Sequence, residues 1–207
     1  TENGFVERSF LQSSVFGFRQ PESEEDPTDY TWAADEIANA QVYLLRDAYN
    51  STRAKFVIKN QDNTINLSTD YYENIYDNNH WNLAIRVKPD IWPYGGSIGN
   101  TSSAGVLEFY GVNCNFGQVE NEFLLTHSLS DASGAAFLTY PKRVYGGAHL
   151  TNYTGTILNL TDIQLGAVRA WYDYLDNDVI RQHNLDPTNF GMPTLSPGLV
   201  SNNIFIF

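Results

Sequence analysis

The sequence predicts an all-β protein, an antiparallel β-sandwich of two sheets, on three observations. Short runs of β-branched and aromatic residues arrive at regular spacing, separated by polar turns containing Gly and Asn. The aromatic share is 14%, with 13 Tyr and 12 Phe, while charged residues reach only 17%, a composition that suits strands better than long amphipathic helices. The length, 207 residues, is that of one large sandwich, since such sandwiches run to roughly 200–250 residues as a single domain. No repeat of fixed period occurs, which argues against a propeller or solenoid.

Residues 1–40 read as an N-terminal extension. Val15–Phe18 is its edge strand, Gln20–Thr31 an acidic, Pro-bracketed loop, and Trp32–Ala40 a short helix through Ala33, Ile37 and Ala40. Gln41–Leu45 opens the main domain, residues 41–190. Lys55–Lys59 follows as a strand with Phe56 and Ile58 on one face, then a turn at Asn60–Asn63 and a strand at Thr64–Leu67. Asp70–Asn79 is Tyr- and Asn-rich loop. Trp81–Lys88 alternates without interruption: Trp81, Leu83, Ile85 and Val87 face one way, Asn82, Ala84, Arg86 and Lys88 the other, which predicts one buried and one wet face. A long loop, Pro89–Ser103, precedes strands at Gly105–Val112, Val119–Thr126 and Ala135–Tyr140.

The carboxyl part is organised around Lys142–Phe190. Arg143–His149 is a strand broken by Gly146-Gly147, Asn152–Gly155 is a turn, and Ile163–Tyr172 returns as a second strand. Asp176 has the character of an N-cap for a short helix over Asn177–His183, with Val179 and Ile180 turned inward. Residues 191–207 form a Pro/Gly linker and a terminal strand, Ile204–Phe207, that pairs as an edge or leads to another module. A bare apolar strand needs a partner.

The order of these motifs resembles the carboxyl half of laminin-G-like, concanavalin A-like jelly-roll domains. The matching residues are Gly147-Ala148, Tyr153-Thr154-Gly155, Val168-Arg169-Ala170-Trp171, Leu175 and Asp178-Val179-Ile180, and His80–Pro89 is similar to the family's central strand. The resemblance spans roughly residues 55–190 and implies a jelly roll with one short helix near Asn177–Asn184. Domains of that family often bind one calcium ion at a loop rim, for which Asp70, Asp77, Asp131 and Asp162 offer hard oxygen ligands here; no EF-hand spacing occurs, and aspartates in turns usually bond their own backbone, so the expectation is no cofactor, with calcium as the one alternative. Single-cysteine, disulfide-free modules of this kind resemble those of bacteriophage and other virus particles.

Charge and cysteine usage narrow the function. A formal net charge of −12 with only 12 scattered basic residues argues against nucleic acid, whose phosphates need clustered Lys and Arg. Cys114 is the lone cysteine, so the core and not an internal disulfide holds the fold. No apolar run reaches the length of a membrane span. Five sequons begin at Asn50, Asn66, Asn100, Asn152 and Asn159, a number that an Asn- and Thr-rich chain also produces by chance.

Two chemistries compete for the remaining residues. Polysaccharide cleavage needs a pair of carboxylates roughly 5–10 Å apart, and the nearest candidates are Glu120 and Glu122 on one strand face with Glu108 on the preceding strand. The Glu-x-Asp-x-Glu pattern of the laminarinase-like branch of the resembling family does not occur. No nucleophile elbow is present, and His80, His127, His149 and His183 lie in separate elements. Carbohydrate binding without catalysis needs aromatic faces and amide or carboxylate partners; Trp92, Tyr94 and Asn100 in the long loop have those types, and Tyr71, Tyr72 and Tyr76 form a second aromatic group. The expectation is a non-catalytic surface module of an extracellular or virion assembly. Its partners are glycans or neighbouring structural subunits, in capsid or tail.

Overall fold

The computed structural model describes residues 11–20, 38–90, 104–147, 163–171, 174–186, 188 and 204–206. In chain order the elements are β1 (Gln12–Arg19), β2 (Ala40–Arg46), β3 (Ala54–Lys59), β4 (Asn66–Ser68), β5 (Trp81–Pro89), β6 (Gly105–Asn115), β7 (Gln118–Leu129), α1 (Asp131–Thr139), β8 (Arg143–Gly146), β9 (Arg169–Trp171), α2 (Asn177–Leu185) and β10 (Ile204–Ile206). Among the described residues the protein is therefore mostly β, with antiparallel sheets and two short helices, α2 where the sequence predicts a helix and α1 where it predicts a strand. Two compact units interleave along the chain: residues 1–78 with 141–165, and residues 79–140 with 166–207.

The first unit holds a five-stranded antiparallel sheet in the order β4-β3-β2-β1-β8. Its core is built from Val42, Tyr43 and Leu44 of β2 and Phe56, Val57 and Ile58 of β3, all at most 5% exposed. The N-terminal strand is not at an edge, as its isolated apolar patch suggested, but lies between β2 and β8. Gly17 permits that placement, because a Cβ there would sit 2.8 Å from the Ala40 carbonyl oxygen. Arg19 is fully buried and donates from Nε to the Tyr145 hydroxyl of β8 at 2.8 Å, so polar groups too tie the strands together. Of the helix expected over Trp32–Ala40, residues 32–37 lie outside the described residues and Ala40 opens β2. The strand expected at Arg143–His149 ends at Gly146, and residues 148–149 lie outside the described residues.

The second unit holds the three-stranded meander β5-β6-β7, the helices, and a short ladder in which β10 pairs β9 within the chain. A two-residue loop, Phe116-Gly117, joins β6 to β7 with positive φ at both residues, 49° and 79°, the backbone of a type I′ hairpin. One face of the meander is aromatic. Phe123 meets Phe109 edge-on at 5.1 Å and Trp81 at 6.0 Å, in space left by Gly111, whose added Cβ would lie 2.3 Å from the Phe123 ring.

Three expectations change in this unit. Ala135–Tyr140 is not a strand but the end of α1, because Ser130 caps the helix through the Ser133 N–H and the run after it has no period-two alternation. The strand predicted over Ile163–Tyr172 is confined to β9, residues 163–168 having no regular structure and Tyr172 lying outside the described residues. The face of β5 expected to be wet is covered by α2, and its Arg86 is only 8% exposed.

Candidate functional site

The site grows from the way α2 is fastened to the meander. Asp176 caps the helix, its carboxylate accepting the Val179 N–H at 2.9 Å, and the local sequence thereby turns Val179 and Ile180 toward the sheet as predicted. These two and Leu175 form a buried cluster with Tyr110 and Val112 of β6, and Trp171 of β9 packs beside it. Trp171 in turn stacks on the buried His183 ring at 5.4 Å.

At the N-terminal end of α2 the contacts become polar. Arg86 of β5 donates from Nε to Glu108 of β6 at 2.5 Å, from Nη1 to the Leu175 carbonyl at 2.7 Å, and from Nη2 to the Asn177 side chain. The Tyr174 hydroxyl donates to the same Glu108 oxygen at 2.9 Å, and the Arg86 guanidinium lies 4.9 Å from the Tyr174 ring centre. Burial, followed by the bond to Glu108, pushes the Tyr174 phenol up to about 12, so it stays a donor at neutral pH. One turn along, Arg181 of α2 grips both oxygens of Glu122 at 2.5 and 2.7 Å and also reaches Asp178 at 2.7 Å. The Tyr110 hydroxyl donates to Glu122 at 2.8 Å, and burial together with that bond raises its pKa.

Beside these clamps opens a cleft of about 430 Å³. Its wall carries Lys88 and Leu124 of the sheet, Tyr174, and Asp176, Asn177 and Asp178 at the start of α2, together with Arg86, Glu108 and Arg181. Three cations therefore face three carboxylates, and the lining is close to neutral.

Comparison with protein-family models, curated proteins and solved structures finds no match to the chain. The laminin-G-like likeness thus rests on sequence motifs alone.

Among the residues singled out from sequence, the structure brings Glu108 and Glu122 to one face of the meander but not Glu120. Glu120 is exposed at the irregular stretch beside Cys114 and accepts from Asn115 at 2.8 Å. Glu108 is registered with Thr126 and Glu122 with Val112, so their backbone positions are four residues apart along the ladder. Trp92, Tyr94 and Asn100 lie outside the described residues, as do His149 and Asp162. Asp131 accepts the Ala104 N–H at 2.9 Å, and among the described residues no three His, Cys, Asp or Glu side chains gather as a metal site. Cys114 is a half-buried free thiol beside the α2 cluster. Among the described residues no helix is long and apolar enough to cross a membrane.

Sequence reasoning missed Arg86, Tyr174 and Arg181. The signal for Arg86 was present: an arginine within an apolar strand, in register with a glutamate two strand positions before Tyr110 on the next strand.

Proposed function

We propose that the protein is a non-catalytic binding module at the surface of a larger extracellular or virion assembly, its sheets closing as a concanavalin A-like jelly roll, with neutral glycans as its ligands. One observation carries the reading: both carboxylates that a hydrolase would use, Glu108 and Glu122, are held by arginines and tyrosine hydroxyls of the protein itself. A general acid has to present its proton to substrate, and a nucleophile its lone pair. Glu108 and Glu122 spend theirs on fastening α2.

The cleft beside them suits a neutral polyhydroxyl ligand. Its balanced charges neither attract nor repel ions strongly, while Asn177, Asp178 and Lys88 supply acceptors and donors for hydroxyls and Tyr174 an aromatic surface. Trp92, Tyr94 and Asn100 stand as a second contact in the same reading, and Asp70, Asp77 or Asp131 as calcium ligands. The alternative, a polysaccharide-cleaving enzyme using Glu108, Glu120 and Glu122, has the shared face of the first and last in its favour.

A glycan array probed with the full chain, with and without calcium, tests the reading. The expected result is binding that Lys88→Ala or Trp92→Ala weakens at least tenfold, each variant locating its own contact. Absence of binding under both conditions would favour a purely architectural role, and release of reducing ends from polysaccharide, lost in Glu108→Gln, would favour the enzyme.

A further inference from the structure

The internal bonds of the cleft decide what it has left to offer a ligand. Arg86 and Glu108 are at most 8% exposed and are committed to each other, to the Leu175 carbonyl, to Asn177 and to Tyr174. The accessible part of the lining is Lys88, Leu124, Asp176 and Asp178, all exposed, with Tyr174 and Asn177 half-buried. Arg86 also settles how Asn177 is turned. A guanidinium only donates, so the Asn177 atom facing it is the acceptor Oδ1, and the amide Nδ2, with its two N–H groups, is the end left for a ligand. Asp178 is the converse. Its Oδ1 accepts from Arg181 at 2.7 Å, its side chain is 78% exposed, and its other oxygen can only accept. Successive helical residues lie about 100° apart around the axis, so the donor and the acceptor meet a ligand from different sides. Leu124 of β7, 44% exposed, adds an aliphatic surface to this polar set.

We propose, building on the glycan-binding reading above, that the cleft selects an acetamido sugar, an N-acetylhexosamine unit of a neutral glycan. An acetamido group carries one acceptor, one donor and one methyl on a single rigid plane. Its carbonyl accepts from the Asn177 amide and the Lys88 ammonium, its N–H donates to Asp178, and its methyl lies against Leu124. The Tyr174 ring is left for the C–H face of the sugar. A sugar bearing hydroxyls alone satisfies the same polar groups, because a hydroxyl both donates and accepts, but it leaves Leu124 against polar atoms and gains nothing there. A uronate fits less well again. Its carboxylate suits Lys88, yet it sets a negative charge beside Asp176 and Asp178 and offers Asp178 no donor.

Titration calorimetry of the full chain with matched sugars tests it: chitotriose against cellotriose, N-acetylgalactosamine against galactose, and an oligogalacturonate as the acidic arm. The expected result is at least tenfold tighter binding of the acetamido member in one of the matched pairs. Asn177→Asp keeps an acceptor toward Arg86 and replaces the donor end by an oxygen; Asp178→Asn keeps an acceptor toward Arg181 and turns donors outward. Each is expected to abolish the acetamido preference. Equal binding of both members of the pairs, or tighter binding of the oligogalacturonate, would overturn the acetamido assignment while leaving the glycan reading in place. Binding of none of these sugars by a chain that binds other glycans would likewise overturn the assignment alone, and binding of no glycan at all would overturn both. A preference that survives both substitutions would place the acetamido group elsewhere and overturn the proposal. Should Asn177→Asp lose the far-ultraviolet circular dichroism of the fold, Asp178→Asn, at the exposed position, decides.

Discussion

Arg86 illustrates how one residue can decide the character of a site. Its guanidinium joins β5, β6 and the start of α2, with side-chain exposures of 7% for Arg86 and 8% for Glu108. Such a buried pair costs much of its Coulombic gain in desolvation, but removing one partner strands the other without solvent. Arg86→Met is therefore expected to lose about 3–5 kcal/mol of unfolding free energy by urea titration. The double variant Arg86→Met/Glu108→Leu is expected to recover most of that loss; a double variant as unstable as the single would mean that the pair stabilises the fold outright. Lys142 is half-buried, and burial lowers its amine from 10.5 to about 8. Below pH 8 it is charged in both states, and its burial weighs against folding. Between about 8 and 10.5 the unfolded chain binds more protons, so stability rises with pH. Lys142→Met is expected to flatten that rise, read from denaturation midpoints at a series of pH values.

Among elements, α2 was legible because its determinants are local: the Asp176 cap, Val179 and Ile180 on one side, and polar residues on the other. The same logic applied to Ala135–Tyr140 misread α1, where an unalternating apolar run was taken for strand and the Ser130 cap was overlooked. The β6–β7 hairpin adds a local conflict. Type I′ turns favour Asn-Gly, yet the first turn residue is Phe116, at φ 49° and wholly exposed. A left-handed conformation costs an aromatic residue about 1–2 kcal/mol, and full exposure returns no packing. Phe116→Asn is accordingly expected to raise the unfolding free energy by about 1 kcal/mol, checked by urea denaturation. A loss of stability would mean that the ring contributes contacts the exposed position does not suggest.

At the scale of the whole molecule, topology and charge matter most. β1 pairs with β8, joining Phe16 to Gly146, so the first sheet closes only after the second unit's meander has been traversed. Contacts so distant in sequence slow folding. The charge of −12 on each copy opposes association, and salt screens it, with a Debye length of about 10 Å at 0.1 M. What the sequence by itself determined is the local and the summed: where strands alternate, where Asp176 starts a helix, and that a chain with one cysteine builds no internal disulfide. Tertiary structure alone decided which strand lies beside which, that the N-terminal strand is interior, and that a helix covers the polar face of β5. The physical reason is that alternation marks two faces of a strand without saying what covers either. Arg86 can lie against α2, and Arg181 of α2 can reach Glu122, only because segments far apart in sequence bring them their carboxylate, carbonyl and tyrosine partners.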